Sequence, residues 1–122
     1  MKKYEAMVLS CMDPRFQTKV FDYLRSKKLK GKYSSFTIAG AAIGVTHKKF
    51  KKWHSTFWDN LETSIKLHNI SKLIVINHKD CGAAKIVNKC KIKSIEWLYL
   101  AAKGHRRAKF DLETNKNTWL VP

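Results

Sequence analysis

Acidic residues are scarce in this chain: 9 Asp and Glu stand against 25 Lys and Arg, a formal net charge of +16 over 122 residues. Such an excess draws phosphates, anionic surfaces and small anions toward a protein, so nucleic acid has to be weighed as a partner. Arginine, on which base readers lean, is scarce as well and occurs only at Arg15, Arg25, Arg106 and Arg107. The remaining positive charge is lysine spread along the whole chain, which reads as a solvated surface and disfavours a nucleic-acid partner. One segment, HKKFKKWH from His47 to His54, is both basic and aromatic, and a nucleic-acid contact would have to use it.

Long apolar runs are missing too. The longest, Ile38 to Val45, has eight residues and is interrupted by Gly40 and Gly44, far short of the ~20 residues that span a bilayer. The opening MKKYEAMVLS has no sustained apolar stretch and no small-residue cleavage site, so no membrane partner and a cytoplasmic location are expected. Cysteine is limited to Cys11, Cys81 and Cys90, with no Cys-x-x-Cys pair. An odd count without an export signal argues against a disulfide framework, and the missing pair argues against dithiol redox chemistry. No repeat and no linker divides residues 1–122, so one domain with one core is expected.

What is present is an alternation of strand and helix signals. Residues 5–10 (EAMVLS) read as a buried strand that ends at Cys11 and the turn-forming Asp13-Pro14 pair. From Thr18 to Leu29, Val20, Phe21 and Leu24 recur at helical spacing, with Thr18 as N-cap and Gly31 behind the C-terminus. Residues 34–39 (SSFTIA) form a second strand running into a glycine turn, Gly40 to Gly44. Ser55 or Thr56 then caps a helix whose face carries Phe57, Trp58, Leu61, Ile65 and His68, ending near Asn69. Residues 72–77 (KLIVIN) have the continuous apolar character of a strand buried on both faces, and Cys81-Gly-Ala-Ala-Lys-Ile begins the next helix. The pattern predicts an α/β fold with a mostly parallel central sheet flanked by helices. Residues 94–103 read as helical, and 109–113 and 118–121 as short edge strands.

In such a sheet, ligands bind beyond the carboxyl ends of the strands, where strand order reverses. Cys11 lies at the end of the first predicted strand, and His78 with Cys81 just past the third. If those strands are neighbours, two thiolates and an imidazole converge, a donor set suited to zinc. Three protein ligands leave a fourth position open, and Cys90, nine residues beyond Cys81, is too far along its helix to close it, reading instead as a buried thiol. Asp13 is placed to reach the open position or a water there, and Arg15 to hold its carboxylate in a bidentate pair.

Cys11-x-Asp13-x-Arg15, followed by Ala39-Gly40-Ala41 and His78-Lys-Asp-Cys81-Gly82, resembles the β-class carbonic anhydrase family over residues 5–88. The resemblance implies a zinc ligated by Cys11, His78 and Cys81, with Asp13 and Arg15 as catalytic dyad. It also implies a lyase activity, the reversible hydration of carbon dioxide to bicarbonate by hydroxide generated at zinc. In some members the aspartate equivalent to Asp13 is a fourth zinc ligand in a resting state, so either role is open for it. Ala39, Gly40, Ala41 and Gly82 are expected to line a slot for the gas, and a homodimer or larger assembly is implied.

The chain departs from the family in three places. Thr37-Ile38 stands where many members carry Arg-Asn, the usual N-terminal helical arm is not expected because the first strand is read within the first few residues, and residues 91–122 are not expected to align. Two alternatives therefore stay open: a carbonyl sulfide or carbon disulfide hydrolase of the same fold, and a non-catalytic zinc protein with a basic nucleic-acid-binding surface. Phe57, Trp58 and Trp97 suit a core or a subunit contact. His47, His54, His68 and His105 have no assigned role, although His47 or His54 would serve as a proton relay if its loop covered the crevice.

Overall fold

Strand β1 (Ala6–Cys11) is buried along its whole length, because it is the middle strand of the parallel part of the sheet. A computed structural model describes residues 4–78, 81–87, 109–110 and 118–120. β2 (Tyr33–Ile38) pairs parallel with β1 along one edge, from Ala6↔Tyr33 to Cys11↔Ile38. β3 (Lys72–Ile76) pairs parallel along the other, from Ala6↔Lys72 to Ser10↔Ile76. Two short strands, β4 (Lys109–Phe110) and β5 (Thr118–Leu120), continue the sheet antiparallel beyond β3, giving the order β2-β1-β3-β5-β4. They fall within the two segments expected to form edge strands, but only β4 is at the edge, since β5 is paired on one side with β3 and on the other with β4.

Side chains of β1 alternate between the two faces, as strand geometry requires. Ala6 and Val8 meet Leu24 and Leu29 under helix α1 (Gln17–Ser26). Met7, Leu9 and Cys11 belong to the larger cluster on the other face, with α2 (Ala42–Thr46) and Phe57, Leu61 and Ile65 of α3 (His54–His68). Full burial of such aliphatic and aromatic side chains stabilises the fold by about 1.5–3 kcal/mol each. A last short helix, α4 (Gly82–Val87), follows β3. The expected α/β architecture is therefore observed. Among the described residues no helix is long and apolar enough to cross a membrane. The helix expected over 94–103 and Cys90 lie outside the described residues.

The starts of α1 and α3 differ from expectation for one physical reason: a tight 3-10 turn precedes both. Pro14–Phe16 forms such a turn, Asp13 caps it by accepting from Arg15 N–H at 2.9 Å, and α1 follows without a break. Thr18 thus sits inside the helix, and Asp13 with Pro14 as first residue supplies the start signal. Likewise 3-10 turns over Lys48–Trp53 lead into α3, capped by His47, which accepts from Lys49 N–H at 3.0 Å. The first N–H groups of α3 follow helical backbone, so neither Ser55 nor Thr56 is needed as a cap. The expected end of α3 is met by Asn69 in the left-handed region, donating to Ile65 O at 3.0 Å.

Gly44 lies inside α2 because a Cβ there would meet the carbonyl oxygen of Ala39 at 2.2 Å. The end of α1 is less well matched to its sequence. Leu29 N–H bonds Leu24 O at 3.0 Å and Lys28 N–H bonds Arg25 O at 2.9 Å, a Schellman closure with the side chains of Leu24 and Leu29 both in the core. The left-handed position is occupied by Lys28 (φ 61°), while Gly31, expected to terminate the helix, serves the next turn (φ 75°). A side chain in this region is strained, and glycine relieves the strain at some cost in unfolded-chain entropy. Lys28→Gly is therefore expected to stabilise the protein by about 0.5–1 kcal/mol, seen in urea titration as a raised midpoint with unchanged slope.

Candidate metal centre

The order β2-β1-β3 means that the chain leaves β1 for one neighbour and later returns on its other side, and the crevice beyond the carboxyl ends of β1 and β3 is the switch point of the sheet. Cys11 is the last residue of β1. His78 stands two residues after β3, and Cys81 directly before α4. Their ligand atoms all lie within 4.8 Å of one another. Both cysteines are buried and neither is in a disulfide.

Two thiols and an imidazole fit zinc in donor chemistry, and two thiolates at 2.3 Å from a tetrahedral zinc stand about 3.8 Å apart, so only a small contraction separates this cluster from ligation. Among the described residues these three are the group that could hold a metal ion. Three donors make an open site, not a closed structural one.

Asp13 stands at the edge of the cluster, one carboxylate oxygen 4.0 Å from His78 Nε2. Arg15 grips that carboxylate: its Nε donates to both oxygens at 3.1 and 3.2 Å, its Nη2 to Oδ2 at 2.7 Å, and its backbone N–H to Oδ1. The side-chain bonds chiefly, and then the backbone bond, hold the Asp13 pKa at about 2, below its usual 3.8. The structure thus places the Asp13 carboxylate in an ion pair with Arg15.

A cleft of about 500 Å³ opens beside the cluster, lined by Cys11, Met12, Asp13, Pro14, Ala39, Gly40, Gly82 and Ala83. Of the four residues expected to line a slot, Ala39, Gly40 and Gly82 line this cleft. Ala41 is elsewhere: the left-handed pair Gly40 (φ 78°) and Ala41 (φ 48°) turns the chain into α2, and Ala41 is wholly buried in the core. A second hollow of about 250 Å³ reaches Cys11 and His78 from the side of α1, between Phe16, Lys19, Val20, Tyr23, Ile76 and Asn77.

Three residues that sequence reasoning passed over touch the centre. The Phe16 ring stacks on His78 with centroids 4.2 Å apart and planes at 26°. The Gln17 amide donates to the carbonyls of Cys11 and Asp13, each at 3.0 Å. Asn77 Nδ2 donates to Gly40 O at 3.2 Å, tying the end of β3 to the glycine turn. Asn77 had a visible signal, a polar residue closing an apolar run just before a candidate ligand; Phe16 and Gln17 had none. His47 and His54 bond each other at the start of α3, with His54 Nε2 2.9 Å from His47 O, and neither lines the cleft. His68 Nδ1 lies 3.3 Å from the Ser34 hydroxyl; His105 and Trp97 lie outside the described residues.

A family profile described as "Putative carbonic anhydrase" matches residues 1–103, reaching past the 5–88 of the motif resemblance. An uncharacterized protein of Rickettsia conorii is 27% identical over 81 residues, which are 66% of this chain and 44% of that protein. An uncharacterized protein of Rickettsia bellii is 28% identical over 79 residues, 65% of this chain and 48% of that protein. The chain thus matches a little under half the length of these curated relatives. No solved structure matches.

The Arg15 grip predicts a titration. A carboxylate whose pKa is depressed in the fold contributes stability that is present above its ordinary value of 3.8 and is lost as pH falls toward about 2. Arg15→Ala is expected to return Asp13 toward its ordinary value, so that its carboxyl carbon resonance titrates at higher pH in the metal-free variant than in the metal-free parent. Equal midpoints would show that the pair does not persist in solution.

Proposed function

Because the chain belongs to the carbonic anhydrase-like family that this profile describes, we propose that it holds one zinc ion on Cys11, His78 and Cys81 and catalyses the reversible hydration of carbon dioxide to bicarbonate and a proton. The observation that carries this reading is the convergence of two buried thiols and an imidazole within 4.8 Å, at the strand switch point, beside a carboxylate held by arginine. Zinc bound there supplies acidification of water, from a pKa of 15.7 to about 7, so that a nucleophile is available at neutral pH.

The remaining chemistry falls to the side chains. Asp13, kept ionised by Arg15, accepts the hydrogen bond of the attacking hydroxyl group and so turns its lone pair toward carbon. Arg15, about half exposed, holds the carboxylate in that role without itself entering the cleft lining. Ala39, Gly40, Gly82 and Ala83 present only backbone, hydrogen and methyl groups, a surface suited to a small apolar molecule. A cytoplasmic homodimer or larger assembly belongs to the same proposal, with sedimentation equilibrium as its check.

Asp13 also caps the turn before α1, so its removal to alanine would confound loss of chemistry with loss of structure. Asp13→Asn keeps an acceptor for the cap and removes the charge. In stopped-flow hydration of carbon dioxide by zinc-loaded protein, the parent is expected to bind one zinc per chain and to be active. Asp13→Asn is expected to retain zinc and lose at least about 100-fold in rate, and Cys81→Ser to lose zinc and activity together. Zinc uptake without hydration at neutral to alkaline pH would leave the metal centre standing and remove the enzyme assignment. Carbonyl sulfide and carbon disulfide hydrolysis, then salt-sensitive nucleic-acid binding, would be assayed next.

A further inference from the structure

Two consecutive residues at the start of α1 grip both chain segments that lead to the proposed ligands. Gln17 uses its side-chain amide on the carbonyls of Cys11 and Asp13, at 3.0 Å each, and so staples one three-residue stretch from both ends. Phe16 lays its ring on the His78 imidazole, 4.2 Å between centroids. Arg15 and Lys19 place cations over the Phe16 ring, 5.2 and 5.4 Å from its centroid, which restrict it further.

Something must hold these segments, because the β1–β3 pairing ends at Ser10↔Ile76. Beyond that point Cys11 follows β2, through its pairing with Ile38, and His78 leaves on the loop after β3. The spacing between the two ligands is therefore not set by the sheet. Nor is Gln17 serving its own helix: both bonds run back to carbonyls that precede α1, and neither meets an N–H of its first turn. The helix is anchored by Leu24 in the core and by Val20, which packs against the same cluster within one turn of Gln17.

We propose that Phe16 and Gln17 are positioning residues for the metal, fixing the approach of Cys11 and the tilt of His78 so that both meet zinc at little further ordering cost. The inference rests on the zinc reading above. Groups that orient metal ligands from behind typically change affinity by 10–100-fold when removed, whereas the bonds of one side-chain amide to a part-buried and an exposed carbonyl bear only modestly on folding.

Gln17→Met keeps length, charge and helix propensity but donates nothing; Phe16→Leu removes the ring, and Phe16→Tyr retains it. Zinc affinity would be read by competition with a chelating indicator, and ligand geometry by the visible spectrum of the cobalt(II)-loaded protein. Stability of the metal-free chain would be read by urea titration. Gln17→Met and Phe16→Leu are expected to bind zinc at least about ten-fold more weakly, with shifted cobalt bands. Phe16→Tyr is expected to match the parent, and metal-free Gln17→Met to unfold at nearly the parent's midpoint. Parental affinity and spectrum in Gln17→Met and Phe16→Leu would overturn the proposal, as would a metal-affinity loss in Gln17→Met that merely tracks lost stability. A parent that takes up neither zinc nor cobalt would bring down the zinc reading itself, and the positioning roles with it.

Discussion

Parallel pairing of β1 with neighbours on both sides is the constraint from which the rest of this molecule follows. A parallel pair needs a crossover that returns the chain to the same end of the sheet, and crossovers of one hand carry their helices to opposite faces when the next strand is laid to the left or to the right. Here β2 lies on one side of β1 and β3 on the other, so α1 and α3 cover different faces. The loops that follow β1 and β3 diverge over those faces and leave a crevice between them. Cys11, His78 and Cys81 need no long loop to meet there, since each lies at or just beyond a strand end or helix start.

Close packing at that end of the sheet makes single residues serve two purposes. Asp13 caps the turn into α1 and presents its carboxylate to the cluster, and Arg15, whose N–H receives the cap, is also the cation that holds it. The geometry of the ion pair is thereby tied to the start of a helix. Because the pair is largely at the surface, its strength is electrostatically modest and salt-screened; its local, hydrogen-bonded connection to the backbone is what keeps it in place. A charged pair linked only by long-range attraction would not point reliably at a metal.

Much of this was legible in the sequence, and the parts that were have short-range causes. The apolar runs at 73–76 and from Ala6 to Leu9 announce strands because burial on two faces favours continuous apolar sequence. Cys11, His78 and Cys81 stand at or just beyond strand ends, where their residue types and spacing suggest a ligand set, with Asp13 and Arg15 beside them as a carboxylate and its cation. What stayed hidden depends on tertiary placement. Thr18 resembles a cap as much as Asp13 does, and only the 3-10 turn at Pro14 decides between them. Phe16 touching His78 and Gln17 touching Cys11 join a helix start to two different strand ends, and no local pattern encodes such contacts. Ala41 neighbours Gly40 in sequence and so suggests a second wall of the slot, yet the backbone reverses between them.

That reversal explains the character of the cleft. Gly40 adopts φ 78°, and a Cβ on it would lie 2.8 Å from the Ala83 Cβ and 3.1 Å from that of Ile43. The glycine turn and α4 therefore approach with only the Ala83 methyl group between them, and Asn77 fixes the turn by its bond to Gly40 O. Ala41, carried past the turn at φ 48°, moves its methyl group into the core. A larger residue at Gly40 would push α4 away and carry Cys81, which immediately precedes it, off the cluster. The smallness of the cleft wall and the position of the third ligand are thus one property, set by how closely the glycine turn approaches the Ala83 methyl group of α4.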